Sequence, residues 1–356
     1  MKGTGEIRTE AREYAAAGVN LIEAEAAKAR IAAAVASTRT ALSVGKVGAF
    51  GGMVRVPSGM RSPTLVLSTD GVGTKVLVAL EANRFDTVGE DLVNHSVNDI
   101  LVHGAVPVAF MDYIAGSALG VEQIAGLVEG IARGCRAHGM ALAGGETAQM
   151  PGLYRSGTYD LAGTIVGVVE EDGALHGDAI VPGDVLLAYA SAGLHTNGYT
   201  LARRIVFERM QLKLDDPFPG AGRSVADALL AVHRSYFRSV MPVIARMHGI
   251  AHITGGGIPG NLVRILREGT EAVVDPGSWT LPPLFATLQQ AGQISTEEMR
   301  EVFNLGVGLI AVLPPDAVPA AREAAEADGV ATWIMGEVRR GHAVVRFAGS
   351  GQRLGL

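Results

Sequence analysis

Leu65-Val-Leu-Ser-Thr-Asp-Gly-Val-Gly-Thr-Lys75 is the stretch around which the chain is organised. Its apolar start predicts a short buried strand that leads into a turn at Asp70. Gly71 and Gly73 let the amides of the turn approach a ligand closely. A carboxylate and the Lys75 ammonium beside such a turn suit a phosphate with its divalent cation. The alternative is an ordinary strand-to-helix turn with two surface charges.

The downstream stretch 86–104 predicts an amphipathic helix with an unusual polar side. Apolar residues recur on one side at helical spacing. The polar stripe carries short side chains in place of the Lys, Arg and Glu of a typical solvated face: Asp91, Asn94, His95, Asn98 and, at its edge, Asp99. Asp91 and Asp99 lie about 12 Å apart along a helix, so one ion would choose between them or two ions would bind.

Length and composition predict two well-packed domains. The chain has 356 residues, more than one hydrophobic core usually supports. Its residues are 48% hydrophobic but only 5% aromatic, so aliphatic side chains must fill the core. The net charge is −6 without any block of like charges, so no nucleic-acid-binding surface is expected.

The cysteine content and the apolar runs of the sequence help to predict the cellular compartment of the protein. Cys135 is the single cysteine, which excludes an intramolecular disulfide and favours a buried thiol in a reducing compartment. Residues 1–12 are polar, without a signal segment, and no apolar run reaches the length of a membrane span. We therefore expect a soluble, cytoplasmic protein that binds no membrane.

Strand and helix patterns alternate in the first half of the chain and predict an α/β domain. The predicted strands are 65–67, 106–111, 140–143 and 159–169, and the predicted helices are 14–36, 86–103 and 121–138. The charged stretch from Glu170 to Gly183 predicts a boundary between domains 1–170 and 171–356. The second half is expected to contain a strand at 184–189, helices at 199–207, 226–247 and 317–327, a strand pair or turn at 302–313, and a tail of strand followed by disorder.

Gly45–Gly52 is a loop with four glycines in eight residues. Gly48, Phe50 and Gly51 are interpreted as parts of a lid whose amides close over phosphates. Phe50 favours this interpretation over a disordered connector, because mobile linkers seldom keep an aromatic residue.

The turn from Ser191 to Gly198 follows a strand and leads into a helix N-terminus, which is a ready-made anion site. A ribose phosphate would suit it, and the candidate residues are Ser191, Gly193, His195, Thr196 and Asn197. Histidines in general are more often structural, but inside this turn contact with substrate is favoured.

Two further glycine clusters flank candidate cleft residues. Glu146 follows a strand and two glycines, which suits a cleft better than a plain turn carboxylate. Gly255–Gly260 matches the dinucleotide-binding glycine pattern, with Asp275 twenty residues beyond its first glycine. No second strand-helix-strand half is evident, so Gly255 and Gly256 are interpreted as a backbone nest facing the cleft.

Ordered motifs make the chain similar to the phosphoribosylformylglycinamidine cyclo-ligase family, also called aminoimidazole ribonucleotide synthetase. The resemblance runs from about residue 14 to 310. Its blocks occur in family order: Asp70-Gly-Val-Gly-Thr-Lys75, Asp91-Leu-Val with Val97-Asn-Asp99, Phe110-Met-Asp-Tyr113, Gly144 to Gly152, Tyr159-Asp-Leu-Ala-Gly163, Ser191 to Tyr199, His252-Ile-Thr-Gly-Gly-Gly257 and Phe303 to Gly308.

The resemblance implies a two-domain α/β (α+β) fold. Its N-terminal domain would bind ATP and pair its sheet across a homodimer, and its C-terminal sheet, covered by helices, would bind the substrate phosphate. The implied reaction closes the ring of formylglycinamidine ribonucleotide with ATP, giving aminoimidazole ribonucleotide, ADP and phosphate in purine biosynthesis.

The resemblance and the patterns together suggest roles for individual residues. Mg²⁺ would bind Asp70 and Asp99, with Asp86 and Asp91 as further candidates. ATP phosphates would contact Gly71, Gly73, Thr74 and Lys75 together with the lid. The catalytic candidates are Lys75, Glu146, His195 and His252, and the general base is left open between Glu146 and His252.

Small departures and alternatives accompany the resemblance. Ser96 lies where many members carry cysteine, and Asn94-His95 replaces the commoner Ala-Met. The alternatives are a thiamine-monophosphate kinase-like enzyme, a formylglycinamidine synthetase-like enzyme, or a non-enzymatic nucleotide-binding scaffold. The chain length and the single Gly144–Gly152 block argue against the two enzymes. A scaffold need not keep its carboxylates.

Overall fold

The computed structural model describes residues 30–45 and 51–349, of which 30–37 are helical. Within these ranges two β-sheets, one four-stranded and one six-stranded, are each packed with helices. The mixed α/β architecture with two sheet-and-helix units is confirmed. None of the helices in the described ranges has the length and apolar character needed to cross a bilayer.

The first unit runs from the end of the N-terminal helix to residue 170. Its elements are β1 (Ser43–Val44), β2 (Met53–Val54), β3 (Pro63–Gly71), α1 (Lys75–Glu81), α2 (Phe85–Leu101), β4 (Val106–Gly116), α3 (Val121–Ala137), β5 (Ala141–Gln149) and β6 (Tyr159–Glu170). The sheet order is β3-β6-β4-β5, with β4 and β5 parallel and the other pairs antiparallel. β1 and β2 form a separate antiparallel two-stranded sheet.

Helices α2 and α3 pack on each other through glycines. A side chain at Gly89 of α2 would collide with the backbone of α3, and one at Gly130 of α3 would collide with the Asp86 carbonyl. Gly134 lies against the side chain of Val93. This close contact holds α2 in place, and the polar residues of α2 are the ones that build the candidate site.

The second unit carries the six-stranded sheet. Its elements are β7 (Val185–Ala190), α4 (Tyr199–Arg203), α5 (Val225–Leu229), α6 (Phe237–Val240), β8 (Gly249–His252), α7 (Gly257–Leu262), β9 (Glu271–Val274), α8 (Pro283–Gly292), α9 (Thr296–Val302), β10 (Val307–Leu313), α10 (Val318–Ala327), β11 (Thr332–Arg339) and β12 (Val344–Phe347). The order is β12-β9-β11-β7-β10-β8, and only the β12–β9 pair is parallel. All seven residues of β10 are buried.

One predicted helix is wrong. The stretch 226–247 is not continuous: α5 ends at Leu229, α6 starts at Phe237, and a 3₁₀ segment, Met241–Arg246, follows. In the segment between α5 and α6, backbone N–H groups donate hydrogen bonds to side chains of α2. Asp91 accepts from His233 N–H, and Asn98 accepts from Tyr236 N–H. Tertiary hydrogen bonds thus replace the helical ones that the local pattern predicts.

Other boundaries differ less. The predicted 199–207 helix is α4 followed by a π-helical turn, Arg204–Arg209, and the 302–313 stretch contains one strand, β10. The tail forms two strands, β11 and β12, and its predicted disordered end lies outside the described residues. Gly48 and Phe50 also lie outside them, so the lid stays a prediction, while Gly51 is exposed beside β2.

Candidate active site

Three side chains from two elements, β3 and α2, meet at one point between the two sheets. Asp70 lies near the end of β3, while His95 and Asp99 lie one turn apart on α2. His95 Nε2 is 2.7 Å from Asp70 Oδ2 and 3.4 Å from Asp99 Oδ2. Ser68 Oγ donates to Asp99 Oδ2 at 3.1 Å. The two carboxylates therefore face one common position, as their residue types predict for a shared cation.

His252 connects this position to the second sheet. It ends β8, and its Nδ1 is 2.8 Å from Asp99 Oδ1. Because a carboxylate accepts, the proton of this bond belongs to His252 Nδ1. Asp99 therefore joins His95 through one oxygen and His252 through the other.

The contacts among Asp70, His95, Asp99 and His252 determine which of these side chains are charged. Burial disfavours ionised Asp99, but hydrogen bonds with His252 and His95 outweigh it and hold the pKa of Asp99 well below its usual range. Burial also disfavours charged His95, yet its bonds to Asp70 and Asp99 raise the pKa of His95 to about 9. At neutral pH the group is thus an imidazolium between two carboxylates.

Lys75 and Asp91 pair with each other. Both side chains are completely buried, and Lys75 Nζ lies 2.6 Å from Asp91 Oδ2. The ammonium also donates to the carbonyls of His195 and Ala231, and Asp91 Oδ1 accepts from His233 N–H. Burial lowers the pKa of Lys75 and raises that of Asp91, but these charge-assisted bonds keep the pair ionised. In this arrangement the predicted phosphate lysine and metal aspartate are occupied by a structural ion pair.

Asp86 lies at the opposite end of α2 from Asp99. It lies in the first turn of α2, thirteen residues and about 20 Å along the helix from Asp99. Its carboxylate pairs with Arg133 of α3 at 3.1 Å, and Arg133 also pairs with Glu90 at 2.6 Å. These contacts tie α2 to α3, away from the candidate site.

Glu146 and Asp70 lie on opposite faces of the four-stranded sheet. Glu146 pairs in register with Tyr113, which is exposed on the open face, whereas Asp70 points to His95 on the helix face. The structure thus brings His252, but not Glu146, to the predicted metal carboxylates. Burial raises the pKa of Asp112, which is on β4, to about 7, and sequence reasoning gave it no role.

The Ser191–Gly198 turn reaches the same region. Thr196 Oγ1 is 2.7 Å from His95 Nδ1, and Thr74 Oγ1 is 3.0 Å from Thr200 Oγ1 at the start of α4. His195 adopts φ +62°, a left-handed conformation that is unusual for histidine and often marks a functional site. The predicted metal turn and the predicted substrate turn therefore form one site.

The remaining predicted substrate residues divide into two groups. Ser191 Oγ donates to the Gly193 carbonyl and to Asn304 Oδ1, beside a cavity of about 190 Å³. Asn197 lies next to Gly255, and Gly256 caps α7 with φ +92°. A side chain at Gly257 would collide with the Arg300 carbonyl, so this glycine is needed for packing.

His233 is a site residue that sequence reasoning missed. It lies in the break between α5 and α6, is completely buried, and stacks on His195 with ring centres 4.0 Å apart. Its Nε2 lies 3.1 Å from His252 Nε2. The position within a predicted helix concealed it, because only the tertiary contacts of α2 reveal the break.

Comparisons with known proteins agree over both units. Models of the N-terminal and C-terminal domains of AIR synthase related protein match residues 49–169 and 181–348. The phosphoribosylformylglycinamidine cyclo-ligase of Paraburkholderia phymatum is 48% identical over 299 residues, which cover 83% of each chain. The enzyme of the same name from Thermosynechococcus vestitus is 44% identical over 347 residues, covering 97% of this chain and 99% of the relative.

Solved structures of lower identity share the fold. Thiamine-monophosphate kinase from Stenotrophomonas maltophilia matches with a TM-score of 0.67 at 19% identity, over 91% of this chain and 95% of that chain. Hydrogenase maturation protein HypE in complex with ATP matches with a TM-score of 0.60 at 18% identity, over 92% and 93%. These likenesses concern the fold alone, whereas the curated relatives are far more similar in sequence. The chain belongs to the phosphoribosylformylglycinamidine cyclo-ligase family.

Proposed function

We propose that this protein closes the imidazole ring of aminoimidazole ribonucleotide from formylglycinamidine ribonucleotide, with ATP giving ADP and phosphate. Its relatives are named after this reaction, and they align with as much as 97% of this chain. The observation that carries the proposal in the structure is the convergence of Asp70 and Asp99 on one cation position. Phosphorylating the amide oxygen makes a leaving group, after which the amidine nitrogen attacks the same carbon.

Mg²⁺ fits the donor set of this position. Two carboxylates are the hard oxygen ligands that Mg²⁺ prefers, and Asp70 is half-exposed and so accessible from the cleft. His95 occupies the position as an internal cation, which shows that the local field favours positive charge there. When bound, Mg²⁺ would neutralise phosphate charge during phosphoryl transfer. Asp70 and Asp99 would hold it.

ATP fits the turn after β3. Gly73 is exposed in this turn and adopts φ +66°, whereas the Gly71 N–H donates to Asp70 Oδ1. HypE, which shares the fold, was solved with ATP, and this supports nucleotide binding here. With Lys75 occupied in its buried pair, the amides of this turn and Thr74 are the groups left for phosphates. The lid at 45–52 would supply further amides.

The substrate would lie against the 191–197 turn, with the general base at His252 rather than Glu146. His252 contacts Asp99, so a proton taken at its ring would be stabilised by a carboxylate. Ser191, Gly193, Thr196 and Asn197 would hold the ribose phosphate. We also propose that the protein is cytoplasmic and that its two domains comprise residues 1–170 and 171–356.

A homodimer would complete the first unit. The open face of its sheet exposes large apolar side chains on the two strands that flank β6, namely β3 and β4: Leu65, Leu67, Met111 and Tyr113. Leu67 is 63% exposed although it lies in the middle of a nine-residue strand. An identical sheet would cover this surface.

The test is formation of aminoimidazole ribonucleotide by the purified protein with ATP and Mg²⁺. Asp70→Asn and Asp99→Asn should each reduce turnover by about 100-fold or more, because transition-state charge loses its counterion. Asp86→Asn is the matched control on the same helix and should retain turnover. Wild-type rates in the first two variants at limiting Mg²⁺ would place the ion elsewhere. If neither the wild type nor any variant forms the product, the proposed activity is wrong.

A further inference from the structure

A small aromatic cavity lies in the second unit, between α8, α9 and the end of β12. Its volume is about 130 Å³, close to the roughly 150 Å³ of a protein cavity that binds one benzene molecule. It therefore has room for one aromatic ring. Most of the residues that line it are apolar, and we call the space that they enclose the tryptophan cavity: Pro276, Trp279, Leu281, Met299, Leu305 and Phe347.

Arg300 brings a positive charge into the wall of this cavity. Its guanidinium lies over the ring of Phe347, 4.0 Å from the ring centre. The side chain is half-buried, and among residues 30–45 and 51–349 it has neither a carboxylate partner nor a hydrogen-bond acceptor. A guanidinium that is held by stacking while its N–H donors stay free is suited to bind an anion.

Trp279 forms an aromatic wall of the same cavity. Its Nε1 donates to the Leu305 carbonyl at 3.1 Å, which fixes the orientation of the indole. Trp333 lies beside it, with ring centres 6.3 Å apart. A ligand ring can stack on such an indole or meet it edge to face, and these contacts favour aromatic over aliphatic ligands. The cavity thus combines a surface for one planar ring with a free cation.

The tryptophan cavity is connected to the Ser191–Gly198 turn through Leu305 and Asn304. Leu305 lines the cavity and adopts φ +55°, a left-handed conformation that is unusual for a bulky side chain. Its neighbour Asn304 accepts from Ser191 Oγ and donates to the Gly193 carbonyl. Strained backbone of this kind is often found at ligand sites and switches. A ligand that moves Leu305 would therefore also move the residue that holds the turn.

We propose that the tryptophan cavity binds a small anion with one planar aromatic ring and that this binding is coupled to the Ser191–Gly198 turn. The ring would lie against Trp279, and the phosphate or carboxylate of the ligand would accept from Arg300. This site is separate from the carboxylates at 70 and 99, so the ligand would act as an effector and not as a substrate of the ring closure.

Tryptophan fluorescence reports on this cavity directly. Trp279 and Trp333 are the two tryptophans of the chain, and they lie side by side. The full-length protein is titrated with uridine 5′-monophosphate and with benzoate, one carrying a phosphate and the other a carboxylate. Their uncharged counterparts, uridine and benzamide, are the matched ligand controls. These compounds absorb little at the wavelengths that excite tryptophan selectively.

We expect saturable quenching by at least one of the two anions. That anion should bind about 10-fold or more tightly than its uncharged counterpart, because hydrogen bonds to charged groups are the stronger ones. Which of the two anions binds identifies the anionic group that the cavity accepts. This measurement does not involve ring closure, so failure of this proposal and failure of the proposed activity are distinguishable.

Variants then locate the site. Arg300→Met keeps an apolar stem over Phe347 but removes the charge, so it should weaken anion binding about 10-fold or more and leave the uncharged counterpart unaffected. Arg264→Met is the matched control, because Arg264 is exposed and lies outside the cavity. It should bind the anion like the wild type.

Hydrogen–deuterium exchange tests the coupling. The bound anion should change the exchange of amides at 191–198 in the wild type but not in Arg300→Met, because the contacts of Asn304 depend on Leu305. Unchanged exchange in the saturated wild type would refute the coupling.

Three results would overturn the binding site itself. One is a wild-type protein whose fluorescence shows no saturable response to either anion. Another is equal affinity of the wild type for each anion and its uncharged counterpart, a comparison that needs no variant to fold. The third is unchanged anion binding in a folded Arg300→Met variant, which would assign the fluorescence response to another site.

Discussion

His95 lies between Asp70 and Asp99. Its ring is buried, so its charge depends on the two carboxylates. Because they raise the pKa of His95 to about 9, above the unfolded value of 6.5, protonated His95 stabilises the folded state. This contribution is complete below pH 6.5 and is lost as the pH rises through 9. A shift of this size corresponds to about 3 kcal/mol.

The pH prediction is checked by urea unfolding of the wild type and His95→Gln between pH 6 and pH 10. The stability advantage of the wild type should fall by about 3 kcal/mol across this range, because the variant has no titrating ring. Groups that do not interact with His95 cancel in the difference. A constant difference at every pH would show that His95 is neutral in the folded protein.

At single positions, the residue types indicated which groups suit a cation, but they did not indicate which side chains are buried. Short carboxylates at 70 and 99 indicated a cation position, and the structure brings them together. Lys75 and Asp91 have equally suggestive types, but their burial comes from packing between α1, α2 and the break after α5. No local pattern contains that information. His233 was missed for the same reason.

At the scale of elements, the buried pair of Lys75 and Asp91 joins three segments. Lys75 begins α1, Asp91 belongs to α2, and their backbone partners at 195, 231 and 233 belong to the second unit. Removing one partner leaves an unpaired buried charge, which costs about 3–5 kcal/mol. The pair therefore acts as an anchor between the units rather than a ligand contact.

We expect Lys75→Met and Asp91→Asn each to lower the free energy of unfolding by about 3–5 kcal/mol. The double variant should lose less than the sum, since it leaves neither charge unpaired. Arg84→Met is the control, because its 2.7 Å pair with Asp227 is exposed and worth less than about 1 kcal/mol. Urea titrations of the wild type and these four variants measure these values. Additive losses in the double variant would contradict the coupling.

The two helices with strong local periodicity were predicted nearly to their ends, whereas β3, β4 and β5 extend several residues beyond the predicted strands. The predicted 86–103 helix is α2 at 85–101, and the predicted 121–138 helix is α3 at 121–137. The 226–247 stretch has similar periodicity but is broken, because two side chains of α2 capture backbone amides there. Periodicity thus predicts an element only where the local hydrogen bonds have no tertiary competitor.

On the scale of the whole molecule, the site is built by the meeting of two sheets. α2 covers one face of the four-stranded sheet and turns its polar stripe toward β8 and the 191–197 turn. The order of motifs along the chain indicated the fold and the family. It did not indicate that His95 and His252 would both contact Asp99, because that depends on how the sheets dock.

One face of the four-stranded sheet exposes apolar side chains, and for this reason we expect the protein to form a dimer. Aliphatic and aromatic side chains at 65, 67, 111 and 113 form one exposed surface, and a second copy would bury it. Light scattering at micromolar concentration should therefore give twice the chain mass of 36.9 kDa. Leu67→Glu places a charge within this surface and should shift the mass to one chain. Val181→Glu, at an exposed apolar residue of the second unit, should leave it unchanged. A wild-type mass of one chain would mean that the face stays open to solvent.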